Sequence, residues 1–194
     1  MQENQFFAML SRMKYINRWG LMRNARPENI SEHSLDVAFI AHALGIIKNT
    51  RFGGNIDCDK LVMLAIYHDV TEIITGDMPT PVKYYNKNIK TAYKEVEALA
   101  QNTLLSYLPE DIRKEYQKVF VKNDDEEYLW RLVKAADRIS ALVKCIEERE
   151  MGNKDFIKAE ESILQSINDI DLLEVKCFME EFIPAFTLTL DEQM

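Results

Sequence analysis

The chain has 194 residues, 47% of them hydrophobic and 29% charged, with a formal net charge of -8. That length supports one sizeable core rather than two independent ones, and the acidic balance excludes broad nucleic-acid binding, which needs a basic surface. No N-terminal stretch joins a basic segment, an apolar run and a small-residue cleavage site, no segment reads as long and apolar enough to span a bilayer, and the scattered Cys58, Cys145 and Cys177 suit a reducing cytoplasm better than a disulfide framework or thiolate zinc cluster.

The first element is a short helix, with Phe6, Phe7, Leu10 and Met13 at helical spacing. Residues 17–29 carry Gly20 and Pro27 and read as an ordered connecting loop. The first thirty residues are locally cationic: Arg12, Lys14, Arg18, Arg23 and Arg26 face only Glu3 and Glu28, which suits a small anionic ligand. Asn29 or Ser31 can cap a second helix, in which Leu35, Ala38, Phe39, His42 and Ile46 recur at i, i+3 and i+4. Phe52-Gly53-Gly54-Asn55 ends it. Asp57 or Asp59 opens a third helix, expected to run through the apolar stretch Leu61–Tyr67 and through His68-Asp69 to a stop near Gly76. Asp77-Met78-Pro79-Thr80-Pro81 is expected to be non-helical, because each proline lacks an amide and pushes its predecessor towards extended geometry. Amphipathic helices follow around residues 89–108, 109–119, 126–150, 156–167 and 172–182. No strand alternation, repeat or low-complexity tract is present, so the expectation is one all-α domain spanning residues 1–194.

The chemistry concentrates at a few positions. A carboxylate at the end of a buried apolar run is costly unless something offsets its charge. An imidazole beside it makes His68-Asp69 a natural ligand pair for a divalent cation. Of the three histidines, a second, His33, stands near the start of another helix in Ser31-Glu32-His33-Ser34. The helix around 126–150 adds Asp137, within or beside an inward face of Leu129, Leu132, Val133, Ala136, Ile139, Ser140 and Val143. His33, His68, Asp69 and Asp137 would form a two-nitrogen, two-oxygen ligand set, compatible with Zn, Mn, Fe, Co or Ni. A cation held there can polarise a phosphoryl oxygen and lower the pKa of a bound water. Glu72, one helical turn beyond His68-Asp69, can orient that water or move its proton. Arg18 offers a planar cationic fork for phosphate. His42 lies on the face opposite His33 and reads as structural, while Glu147-Glu148-Arg149-Glu150 reads as a solvated face.

Arg18-Trp19, Glu32-His33-Ser34, His68-Asp69, Glu72, Gly76-Asp77, Pro79-Thr80-Pro81 and Asp137, in this order, resemble the bacterial 5'-deoxynucleotidases of the HD-domain phosphohydrolase superfamily. The resemblance runs over nearly the whole chain. It implies an HD-type helical bundle and metal ligation by His33, His68, Asp69 and Asp137, with one divalent ion such as Co, Mn or Zn. It further implies phosphate orientation by Arg18, substrate contacts from Trp19 and from Asp77, Met78, Pro79 and Thr80, and a substrate lying against the ligands His33, Asp69 and Asp137. The expected reaction is hydrolysis of a deoxyribonucleoside 5'-monophosphate to deoxyribonucleoside and phosphate, by attack of a metal-bound water on phosphorus. Asp77 is expected on the sugar 3'-hydroxyl, and Trp19 as a wall that leaves no partner for a 2'-hydroxyl. A cytoplasmic homodimer is expected from the same likeness, with no membrane or nucleic-acid partner. Two other readings compete: a phosphodiesterase or triphosphohydrolase, which would ask for more ligands or more basic groups, and a helical sensor on a degenerate scaffold, against which the intact set of residues speaks. Taken singly, Asp137 could instead pair with Lys134 or Arg138, and Arg18 with Glu32.

Overall fold

The computed structural model describes residues 4–83 and 85–194, and of residue 124 the backbone alone. Helix starts are set by short polar side chains that satisfy otherwise orphaned amides. The Asn29 side chain accepts from the Ser31 and Glu32 N–H groups and opens α2 (Ile30–Arg51). Asp57 accepts from Lys60 at the head of α3 (Cys58–Tyr67), and Asn86 accepts from Ile89 at the head of α6 (Lys87–Ser106). Before them lies α1 (Phe6–Leu10), continued by a 3-10 turn at Ser11–Tyr15. Between α3 and α6 come two one-turn helices, α4 (Glu72–Thr75) and α5 (Thr80–Lys83). The chain continues through α7 (Glu110–Phe120), α8 (Glu127–Glu150), α9 (Ile157–Asn168), α10 (Leu173–Glu181) and α11 (Leu190–Gln193). Among the described residues there is no strand; one antiparallel bridge joins Asn17 to Asn29 and closes the loop between them. The fold is therefore an all-α bundle.

The main core lies where α2, α3 and α8 meet. Val37, Ala41, Leu44, Leu61, Leu64, Ala65, Leu132, Ala135, Ala136 and Ile139 are all buried there. Gly45 lets α2 and α3 approach closely: a β-carbon on it would stand 2.9 Å from Cys58 Sγ and 3.1 Å from Leu61 Cδ2. A smaller cluster of Phe6, Val70, Leu104, Leu105, Leu108 and Phe120 packs under α1, α6 and α7. The three helices that form the main core thus also carry, or lead into, His33, His68-Asp69 and Asp137.

Four expectations are corrected. The α2 stripe faces outward: Leu35, Phe39 and Ile46 are exposed, while the buried face is His33, Ser34, Val37, Ala38, Ile40, Ala41, Leu44 and Ile47. Apolar residues occur nearly all round α2, so periodicity alone did not choose a face. By length and composition α2 could also cross a bilayer, contrary to the sequence reading, although 56% of its apolar stretch is buried inside the fold. The third helix stops at Tyr67 rather than running to Gly76. Tight bonds from the amides of His68 to Ala65 O, Val70 to Tyr67 O and Glu72 to Asp69 O make a turn that re-aims the chain. Lastly, Pro81 sits inside α5, not in an extended loop; in the first turn of a helix its missing amide leaves no bond unmade.

Candidate active site

Three separated pieces of chain meet at one point. The first turn of α2 supplies His33, the tight turn after α3 supplies His68 and Asp69, and the middle of α8 supplies Asp137. One donor atom from each of these four residues lies within 4.8 Å of every other. His33 Nε2 stands 3.1 Å from Asp137 Oδ1 and 3.5 Å from Asp69 Oδ2; His68 Nε2 stands 3.1 Å from Asp69 Oδ2. The opposite edge of each ring is fixed. His68 Nδ1 is 2.7 Å from the Ala65 carbonyl, which can only accept, so Nδ1 carries a proton and Nε2 is the atom left to offer a lone pair when the ring is neutral. His33 Nδ1 lies 3.1 Å from Ser140 Oγ, which can hold that ring in the same tautomer.

Both Nε2 atoms are buried without a well-formed hydrogen bond. Burial opposes the imidazolium of His68, yet the adjoining Asp69 outweighs it and lifts the ring to about 9. Asp69 is driven the other way: burial favours its neutral form, but His68 and His33 hold it well below the ordinary carboxylate range. Asp137 is likewise lowered against burial, mainly by the His33 ring beside it. Two carboxylates and two imidazoles whose Nε2 atoms face those carboxylates fit a divalent cation in ligand type and number, the cation taking the place of the Nε2 proton. The alternative partners considered for Asp137 do not hold it. Arg138 instead donates to the Ser166 carbonyl.

The surrounding groups place a guanidinium, two further carboxyl groups and an indole beside this cluster. Glu72 heads α4, is buried, and its Oε2 has no hydrogen-bond partner. Burial first, then Asp69 and Asp77, push its carboxyl up to about 9, with Arg18 and Lys83 pulling back. Arg18 is largely buried and pairs with Glu28, not Glu32: Nη1 donates to Glu28 Oε2 at 2.5 Å. Its guanidinium is desolvated, but Glu28, Asp137, Asp69 and Asp77 together raise its pKa, so the charge faces the cluster. Trp19 donates its indole N–H to the same Glu28 oxygen at 3.0 Å and its backbone N–H to Asp77 Oδ2 at 3.2 Å. Trp19 has φ 61°, the sole positive φ at a non-glycine among the described residues. The Asp77–Thr80 segment follows Gly76, whose φ of 71° ends α4. Met78 and Pro79 are half-buried, and Thr80 is exposed at the start of α5. His42 is exposed, away from the cluster.

Sequence reasoning missed several residues that shape this site. Ser140 was placed on the inward face without a role. Glu28 was counted only as local charge, although it holds both Arg18 and Trp19. Lys83 reaches Glu97 at 2.9 Å and acts electrostatically on Glu72. Glu148 is the largest miss: it is fully buried, not solvated. Its only sequence signal was Lys144 four residues earlier, a pairing equally common on exposed helix faces.

Comparison with known proteins points to one family. The family model described as 5'-deoxynucleotidase YfbR-like matches residues 5–186. A 5'-deoxynucleotidase of Erwinia tasmaniensis is 47% identical over 192 residues, covering 99% of this chain and 97% of the relative. One from Vibrio parahaemolyticus is 46% identical, covering 99% of each chain. Among solved structures, an HD-domain phosphohydrolase from Listeria innocua superposes with a TM-score of 0.83 at 24% identity, covering 97% of this chain and 91% of that one. The cyanophage S-2L HD phosphohydrolase, bound to dA and one catalytic Zn2+ ion, has a TM-score of 0.64 at 20% identity, covering 94% and 96%. These structural likenesses support the HD-type fold.

Proposed function

The chain belongs to the YfbR-like 5'-deoxynucleotidase family, and from that premise we propose that it hydrolyses deoxyribonucleoside 5'-monophosphates to deoxyribonucleoside and phosphate with the help of one divalent cation. The observation that carries the reading is the meeting of His33, His68, Asp69 and Asp137, whose donor atoms all lie within 4.8 Å of one another. Those four residues would hold the ion. When bound it would act as a Lewis acid towards the phosphoryl oxygen and make water a better nucleophile near neutral pH.

The protein's own groups do the rest. Arg18, already aimed by Glu28, takes two phosphate oxygens in its planar fork and offsets charge that builds in the transition state. Phosphoryl transfer asks mainly for such positioning, so no covalent nucleophile is needed. Glu72 is buried beside Asp69 and Asp77 and holds its proton in that setting. It is the group placed to orient the attacking water and to return a proton to the leaving 5'-oxygen. Asp77 uses Oδ2 to hold the Trp19 amide, which leaves its other oxygen for the sugar 3'-hydroxyl. Met78, Pro79 and Thr80 continue that wall of the pocket, and the substrate phosphate lies against His33, Asp69 and Asp137. Trp19 closes the sugar side. A 2'-hydroxyl left unpaired against it would cost about 1–3 kcal/mol.

We read residues 1–194 as one domain acting in the cytoplasm as a homodimer. The exposed apolar side chains Leu35, Phe39 and Ile46 on α2 support self-association. The decisive experiment is phosphate release from dAMP, AMP, dATP and a cyclic nucleotide after exhaustive chelation and then cation titration. Release from dAMP that returns with added cation is expected. Turnover untouched by chelation, or cleavage of the cyclic nucleotide or dATP in preference to dAMP, would overturn the reading.

A further inference from the structure

Resting on the function just proposed, we propose that the buried Lys144–Glu148 pair near the C-terminal end of α8 is a positioning device for substrate selection. It fixes the backbone that presents Trp19 and so sets the preference for deoxyribose, without itself touching substrate.

The Glu148 side chain has no solvent exposure, and Lys144 retains 3%. The carboxylate accepts from four donors, two of them amides of the loop that precedes α2. Oε2 accepts from the Ala25 amide at 2.8 Å and from Asn153 Nδ2 at 2.6 Å. Oε1 accepts from the Arg26 amide at 3.1 Å and from Lys144 Nζ. Lys144 Nζ also donates to the Arg26 carbonyl, and Asn153 Nδ2 to the Arg23 carbonyl at 2.6 Å. The main chain of Arg23, Ala25 and Arg26 is thereby tied to α8 and to the turn that follows it.

From there a short relay reaches Trp19. Asn24, flanked by the tied residues, donates through Nδ2 to the carbonyls of Trp19 at 3.3 Å and Met22 at 3.0 Å, and the Met22 amide donates to Trp19 O at 2.9 Å. Trp19 needs such support because its φ of 61° lies in a region that aromatic residues rarely adopt, and strain there persists only where the surroundings fix it. The ring is backed from the same side. Trp19 packs on the buried Phe156 with centroids 5.3 Å apart, and Lys144 Nζ lies 5.6 Å from the Phe156 centroid. One ion pair therefore underlies both the main chain and the indole of Trp19. A buried ion pair is weak evidence for stability, since well-packed apolar residues often serve as well. Its carboxylate takes two main-chain amides of the Trp19 loop, and its lysine takes a carbonyl of the same loop, which gives the pair a reason to exist.

The test compares the wild type with Glu148→Gln and Asn24→Ala, in the full chain with saturating Mn2+. Each is also made in a Trp130→Phe background, so that Trp19 alone reports in fluorescence. The expected result for Glu148→Gln is a fall of about tenfold in the dAMP-to-AMP ratio of kcat/KM, in the range that pocket contacts to a single group command. The Trp19 emission should shift, kcat for dAMP should move far less than the ratio, and bound-metal stoichiometry should not change. Asn24→Ala, which cuts the relay without leaving a buried charge unpaired, should move ratio and emission the same way. If Glu148→Gln does not fold, Asn24→Ala decides alone. Selectivity and emission equal to wild type in the folded variants, whatever their melting temperatures, would overturn the inference and leave the pair a structural one. A wild type that hydrolyses dAMP and AMP equally removes the proposed specificity itself, an outcome seen before any variant is compared.

Discussion

Ser140 contributes one hydroxyl, and it is the hydrogen-bond partner of the His33 ring on the side away from the cluster. Its Oγ is 3.1 Å from Nδ1, on the far side of the ring from the two carboxylates. Loss of such an outer partner typically weakens metal binding about 10–100-fold. Ser140→Ala should therefore lose cation affinity in equilibrium dialysis while keeping its helical content; affinity equal to wild type would mean that packing alone fixes the ring. Glu72 calls for the opposite pattern. It is buried, lacks a partner at Oε2 and is not one of the four clustered donors. Glu72→Ala should bind the ion normally and lose about 10²–10⁴ in turnover, the range of a positioned acid–base group. Full phosphate release from dAMP by that variant would remove Glu72 from the chemistry. Trp19→Ala probes the proposed sugar wall: its dAMP preference over AMP should shrink by about tenfold or more, matching the roughly 1–3 kcal/mol cost of an unpaired hydroxyl.

At the scale of elements, the long helices were legible because their signals are local. Asn29 and Asp57 cap where short acceptors precede apolar periodic runs, and the helices expected over 89–108, 109–119, 126–150, 156–167 and 172–182 appear as α6 to α10 with ends shifted by a few residues. What stayed hidden depends on distant neighbours. The turn at His68–Thr71 breaks a helix whose sequence would continue it, and carries His68 and Asp69 to His33 and Asp137 on other helices. The buried face of α2 is selected by α3 and α8, not by its own periodicity. Glu148 looked like one of a run of exposed acids, and only the loop at Ala25 and Arg26 makes it an interior group. That placement has a pH consequence. Burial disfavours the Glu148 carboxylate, but Lys144 and the Ala25, Asn153 and Arg26 donors bring its pKa down to about 2. The folded state therefore holds a proton there more weakly than the unfolded chain, whose glutamates titrate near about 4.3. The stabilisation is complete above that value and is lost as pH falls towards about 2. Glu148→Gln should lower stability at neutral pH, by up to the roughly 3–5 kcal/mol seen when buried pairs lose a partner, and flatten the acid limb of a urea-midpoint-against-pH curve. An acid limb as steep as wild type would show that other carboxylates govern it.

For the molecule as a whole, the candidate metal site and the main core cannot be separated. His33 rides on α2, His68 and Asp69 sit in the turn that follows α3, and Asp137 sits on α8, the helices whose contacts form the larger apolar cluster. Without a cation, these helices bring together two carboxylates that repel each other, offset by imidazoles able to accept protons and by the nearby Arg18. A cation bound at that junction engages all three segments, and such a folded site does not survive in the unfolded chain. Linkage then fixes the size of the effect: at a hundredfold excess over Kd, binding adds about 2.7 kcal/mol of stability. For a chain of this length each kcal/mol moves Tm by roughly 2–4 °C. Calorimetry of the chelated protein against Mn2+- or Co2+-loaded protein should therefore show a rise of about 5–10 °C, growing with the logarithm of free cation. Asp137→Asn removes one charged ligand and should shrink that rise, whereas Phe39→Asp on the exposed side of α2 should leave it intact. Equal melting temperatures with and without cation, in protein that dialysis shows to be loaded, would uncouple the cluster from the helices that build it.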